Sequence, residues 1–107
     1  MFKICVYVPE KSVEKVKLAL FEAGAGKIGN YDSCCWQTPG SGQFRALAGS
    51  SPVLGEQGKT EQVQELKIEL VCADQFIKQA VSAIKKAHPY EEPAYDVWRL
   101  DDLAGDL

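Results

Sequence analysis

FKICVYVPEKSVEKVKLALFEAGAGKIGNYD, residues 2–32, and LKIELVCADQFIKQAVSAIKKAHPYEEPAYD, residues 66–96, align without a gap at an offset of 64. Lys3/Lys67, Ile4/Ile68, Ala19/Ala83, Ala23/Ala87, Tyr31/Tyr95 and Asp32/Asp96 are identical. The hydrophobic pattern agrees more widely. Phe2, Ile4, Val6 and Val8 alternate as in a strand with one buried face, and fall on Leu66, Ile68, Leu70 and Cys72. Val13, Val16 and Leu20 stand at helical spacing and fall on Ile77, Ala80 and Ile84. Each unit therefore reads strand, helix, strand.

The punctuation around the helices agrees. Asp74 is expected to cap the second helix, and Pro89 to stop it after His88. Ser12 is a cap for the first helix, with Pro9 and Glu10 allowing an earlier start. Gly24 ends it, because glycine takes the left-handed position after a helix at little cost. Two such units in one domain imply an α+β, ferredoxin-like βαββαβ sandwich. Its helices cover one face of an antiparallel sheet. The other, open face carries Lys3, Cys5, Tyr7, Lys67, Glu69 and Val71, a mixture closer to an interface than to a core. Between the units, 30–38 and 43–47 read as an extra β-hairpin turning at Pro39-Gly40-Ser41-Gly42, followed by a long loop at 49–62. The domain is expected to span 1–101, leaving 102–107 as an acidic C-terminal tail. The repeat sets His88–Ala94 on Gly24–Asn30, which predicts that both helix-to-strand connections leave the same end of the sheet.

Composition narrows the function. A chain of 107 residues with 46% hydrophobic and 25% charged residues is one folded domain, not a disordered chain. A net charge of −3, with Arg45 and Arg99 the only arginines, provides no footprint for nucleic acid. One histidine excludes a site built from several imidazoles within one chain. No stretch approaches the roughly 20 apolar residues that span a bilayer, and residues 1–8 lack the features of a signal peptide. The expectation is a cytoplasmic protein, without membrane or nucleic-acid partners, whose four cysteines stay reduced. A binding or regulatory domain fits this profile better than a self-sufficient enzyme.

Two motifs fail on context. Gly24-Ala25-Gly26-Lys27-Ile28-Gly29 spells G-x-G-x-x-G, but it follows a helix and enters a strand, so a phosphate there would meet the negative end of the helix dipole. Gly58-Lys59-Thr60 imitates the end of a P-loop, yet Val53 stands where that loop needs glycine. Two segments remain as chemical candidates. Cys34 and Cys35 read as neighbours on a strand, pointing to opposite faces, one of them available as a thiolate for a soft metal. His88, Glu91 and Cys34 or Cys35, from one chain or across subunits, could hold a divalent, copper-type ion, since helix C-termini and two carboxylates make that end of the sheet negative. The bland alternative is that His88 completes the last helical turn between stiffening prolines. For a ligand cleft the candidates are Tyr31, Asp32, Trp36, Tyr90 and Glu92. Tyr31, Asp32, Tyr90 and Glu92 are also the available acid–base groups, but no nucleophile–base pair emerges, so no catalytic residue is assigned.

GAGKIGNYDSCCWQTPGSGQFRALAGSSPVLG, residues 24–55, resembles a signature of the dinuclear-metal-centre hexameric protein family, the NGG-one-interacting-factor-three family with its YqfO-like members. HPYEEPAYDV, residues 88–97, is similar to the same family's C-terminal motif. The resemblance covers nearly the whole chain and implies a stand-alone version of the CutA/PII-like domain inserted between the family's two metal-bearing halves. Those halves are absent from this sequence, so their hydrolytic activity is not carried over. His88-Pro89-Tyr90-Glu91 also resembles a segment of CutA, a family linked to divalent cation tolerance. CutA and PII proteins are homotrimers, so the resemblance implies a homotrimer that binds a small molecule, a cation or a protein partner between subunits.

Overall fold

The computed structural model describes residues 1–101, and the acidic segment expected at 102–107 lies outside them. In chain order the elements are β1 (Phe2–Pro9), a 3₁₀ turn at Glu10–Ser12, α1 (Val13–Glu22), β2 (Trp36–Arg45), β3 (Thr60–Cys72), a 3₁₀ turn at Asp74–Phe76, α2 (Ile77–Ala87) and β4 (Tyr95–Arg99). The repeat is visible even in the two 3₁₀ turns, which share its offset. The strands form an antiparallel sheet in the order β2-β3-β1-β4, the ferredoxin-like arrangement. Ile4, Val6 and Val8 of β1 and Ile68 and Leu70 of β3 point to one face. There they meet Val13, Val16 and Leu20 of α1 and Ala80 and Ile84 of α2, all buried.

Helix ends follow local chemistry. Gly24 adopts φ +105° beyond α1, the Gly24 N–H donates to the Phe21 carbonyl at 3.1 Å, and the Ala25 N–H to that of Leu20 at 3.0 Å. This pair of bonds is a Schellman closure. A side chain at Gly24 would also strike the Phe76 ring, so the position is restricted twice. α2 stops at His88, whose extended backbone (ψ 137°) is the conformation Pro89 imposes on its predecessor. Asp74 does not cap α2. The cap position falls on Phe76, without a side-chain bond, because the 3₁₀ turn displaces the helix start. Asp74 instead binds the Met1 amino group and Arg99 Nη1 (3.1 Å), which hold its carboxyl below the usual range. Ser12 stands at the N-cap of α1 but makes no capping bond, and the earlier start permitted by Pro9 and Glu10 is the first 3₁₀ turn.

The central region departs from expectation. There is no turn at 39–42: residues 36–45 are one strand. β2 is an edge strand, so Pro39 and the two glycines need satisfy pairing on one side only. The hairpin is instead β2–β3, joined by 46–59, and residues 60–62 of the expected loop belong to β3. β1 ends opposite Glu65, whereas β2 continues with β3 to the Arg45–Thr60 pair. The outer β2–β3 segment is therefore an arm projecting beyond the sheet. It gives the chain extents of 51 × 23 × 23 Å and a radius of gyration of 15.1 Å. A compact chain of this length would have about 13 Å.

The two helix C-termini lie at opposite ends of the sheet, not at one end. β1 and β3 are antiparallel, so superposing one unit on the other turns it end for end. The turn after α1 sits against the end of β3, with Gly26 N–H bonded to the Val71 carbonyl. His88, after α2, sits against the end of β1.

Candidate functional site

α2 delivers His88 to a buried position, 6% exposed. Nε2 lies 2.7 Å from the Tyr7 carbonyl, and Nδ1 accepts the Tyr90 N–H at 3.1 Å. A carbonyl only accepts and an amide N–H only donates, so these partners select the neutral ring protonated on Nε2. Burial pushes the His88 pKa down, against the smaller opposing effect of the carbonyl. The imidazole therefore locks the turn to β1.

Next along the turn, the Tyr90 ring lies 5.0 Å from His88 and 6.2 Å from Phe44, centroid to centroid. Its hydroxyl is buried without a hydrogen-bond partner among the described residues. Burial, and then the charge of Glu65, push its pKa up. Burial also raises the Glu65 carboxyl. That carboxyl lies over Gly42, where any Cβ would collide with it. The connection 46–59 is closed on itself: Gly58 N–H donates to the Ala46 carbonyl (2.6 Å), and the Gln57 amide to that of Ser50 (2.8 Å). Ser51 N–H reaches both carboxylate oxygens of Glu91, at 3.2 and 3.3 Å, tying this loop to the Tyr90 turn. Together they border an open hollow of about 380 Å³ whose walls include Tyr7, Phe44, Leu54, Glu65 and Tyr90.

The expected ligand residues divide between the two ends of the sheet. Tyr90 and Glu92 line the hollow, with Glu91 beside them. Tyr31 and Trp36, 75% and 69% exposed, lie with Asp32 at the far end, where Tyr31 pairs with Ile28 through two backbone bonds of 2.9 Å. Cys34 and Cys35 belong to the segment leading into β2 rather than to a strand. Ser33, at φ +56°, turns the chain there. Cys35 packs against the core, while Cys34 Sγ lies 3.5 Å from the Asp32 carbonyl.

The divalent-metal set implied by residue type does not fit one chain. Both His88 nitrogens are engaged by backbone and Glu91 is bound to Ser51. Among the described residues no group of three His, Cys, Asp or Glu side chains could hold an ion. The opposed helix ends also remove half of the expected negative field. Sequence reading missed Tyr7, Phe44 and Glu65 at the hollow, and Gly42 against the Glu65 carboxyl, because the β1–β3 and β2–β3 registers bring them there. Their one local signal is the pair of glycines in an edge strand.

The strand order, the paired helices and the extended β2–β3 arm define a CutA/PII-like fold. CutA from Pyrococcus horikoshii superposes with a TM-score of 0.72 at 21% identity, over 99% of this chain and 90% of that one. A Bacillus cereus protein related to NIF3 superposes with a TM-score of 0.77 at 41% identity, over 94% of this chain but 25% of that one. In sequence, a Mycobacterium tuberculosis protein named GTP cyclohydrolase 1 type 2 homolog is 45% identical over 98 residues, 92% of this chain. The chain spans about a quarter (26%) of the length of such curated relatives. No protein-family model matches it. The resemblance carried by residues 24–55 and 88–97 thus holds for one CutA-like segment of these larger proteins. No helix among the described residues is long and apolar enough to cross a membrane.

Proposed function

We propose that this chain is a CutA/PII-like regulatory domain that assembles as a homotrimer and binds a small ligand, a cation or a protein partner. One observation carries the reading: the sheet face opposite the helices has the composition of an interface. Trp36 and Trp98 stand on it 69% and 49% exposed, in rows shared with Cys5, Glu69 and Lys3. No helix or strand among the described residues covers this face. Apolar side chains set among charges on an open sheet face are what further copies of the chain can cover, each meeting the next through two different patches when three close a ring. The projecting arm supports the reading, since an elongated monomer leaves much surface to be buried by association. The reading assigns no catalytic residue, and it places the protein in the cytoplasm, which the free thiols of Cys5, Cys34, Cys35 and Cys72 support.

Sedimentation velocity on the wild type and on Trp98→Glu tests it. The reading expects three-chain particles for the wild type and single chains for the variant, with the far-ultraviolet circular dichroism of both alike. Wild-type protein that sediments as one or two chains at every concentration overturns it.

A further inference from the structure

The hollow at the arm has a chemistry of its own. Three aromatic side chains, Tyr7, Phe44 and Tyr90, share it with the carboxyl groups of Glu65 and Glu92. Arg45 is the single cationic side chain on its wall, and it is exposed on the outer part of β2. Glu65 has neither an ion pair nor a hydrogen bond among the described residues, although it is half-buried on β3. Gly42 gives it room: with no side chain at 42, the carboxyl can lie over β2 instead of extending into solvent. The Tyr90 hydroxyl, behind the wall of the hollow, is buried without a partner among the described residues. A half-buried carboxyl without a counter-charge, set beside aromatic rings, leaves a place that a cationic occupant completes.

We propose that this hollow binds a small organic cation, an ammonium group on an apolar body, with the nitrogen among the rings of Tyr7, Phe44 and Tyr90 and facing the Glu65 carboxylate. Ring faces attract a cation through their quadrupoles, and attract it more strongly where water is excluded. The carboxylate adds a full opposite charge at a partly buried position. The apolar body lies along Leu54 and Pro52. The ligand favours the ionised form of Glu65, which burial disfavours in the empty site, so affinity rises as pH rises through the Glu65 titration. The inference rests on reading the chain as a ligand-binding domain and names the ligand class. All the residues it uses come from one chain, and Tyr7, Phe44 and Glu65 stand on the sheet face that the proposed trimer covers, so a second copy seated on the hollow is the competing occupant that the test separates.

Choline and neohexyl alcohol, its uncharged carbon isostere, are the probes, followed by amide chemical shifts in a titration of the full chain. Choline should move the resonances of Phe44, Glu65 and Tyr90, and the alcohol should bind at least about tenfold more weakly. Glu65→Gln removes the charge, and Gly42→Ala displaces the carboxyl without removing it. Each should weaken choline binding about tenfold while the circular dichroism stays unchanged. Equal affinity for the two probes, no shifts at these residues, or unaltered binding by both variants overturns the proposal. Sedimentation of the same samples separates the two readings: a monomer that discriminates choline from the alcohol refutes the trimer alone, and a trimer that does not refutes the cation site alone.

Discussion

Replacing His88 by alanine separates a structural histidine from a metal ligand. The imidazole is 6% exposed and ties the Tyr7 carbonyl to the Tyr90 N–H, at 2.7 and 3.1 Å. Losing two such bonds costs about 1 kcal/mol each, and the space left by the ring adds to this, so about 2–4 kcal/mol is expected. For a domain of this size each kcal/mol corresponds to about 4–8 °C, and the Tm should fall by roughly 8 °C or more. Thermal unfolding followed by far-ultraviolet circular dichroism is the assay, with wild type and variant at one protein concentration because assembly makes the Tm concentration-dependent. A Tm within about 2 °C of wild type would refute the structural role. So would a wild-type Tm that rises with added Zn²⁺ while the variant's does not, since that would show a ring nitrogen free to bind metal.

The same ring sets a pH dependence. Its folded-state pKa lies below the ordinary 6.5, so the neutral form stabilises the fold fully above pH 6.5, and that contribution is lost as pH falls through the lowered folded-state value. Urea titrations should show stability decreasing with acidification through that window, and a smaller decrease in His88→Ala; equal slopes would contradict it. Tyr90→Phe removes a buried, unpartnered hydroxyl and should leave ligand-free stability unchanged or raise it by up to about 1 kcal/mol, whereas a loss of that size in urea unfolding would reveal a hidden partner. Gly24→Ala should cost about 1–3 kcal/mol in urea unfolding, because alanine resists φ +105° and its methyl group meets Phe76; a neutral result would mean that the helix end relaxes freely. In native protein a thiol reagent should modify Cys34 first and reach the buried Cys5 and Cys72 only on unfolding, as mass spectrometry after proteolysis would show.

The repeat was legible because it rests on local patterns. Alternation over 2–8 and helical spacing over 13–20 depend on neighbouring residues, and both units obey them. The direction of the second unit was not legible from the alignment, because an offset preserves chain order but carries no information on the half-turn that antiparallel pairing imposes. Pro39-Gly40-Ser41-Gly42 suggested a turn because its propensities are those of turns. Pairing with β3 on one side of an edge strand overrode them. At the hollow, His88 and Tyr90 were visible as a proline-flanked turn, but Phe44 and Glu65 come from distant strands aligned by register. The metal reading rested on residue types. Within one chain His88 does not offer a free nitrogen to it, because backbone groups, which carry no signature in the sequence, engage both.

Native mass spectrometry of protein purified without chelators tests the central claim, an assembling ligand-binding domain, most directly. The account predicts a species of three times 11.8 kDa that releases or retains a small organic molecule on activation. A spectrum holding only the 11.8 kDa chain, at concentrations where sedimentation is also monomeric, would contradict it.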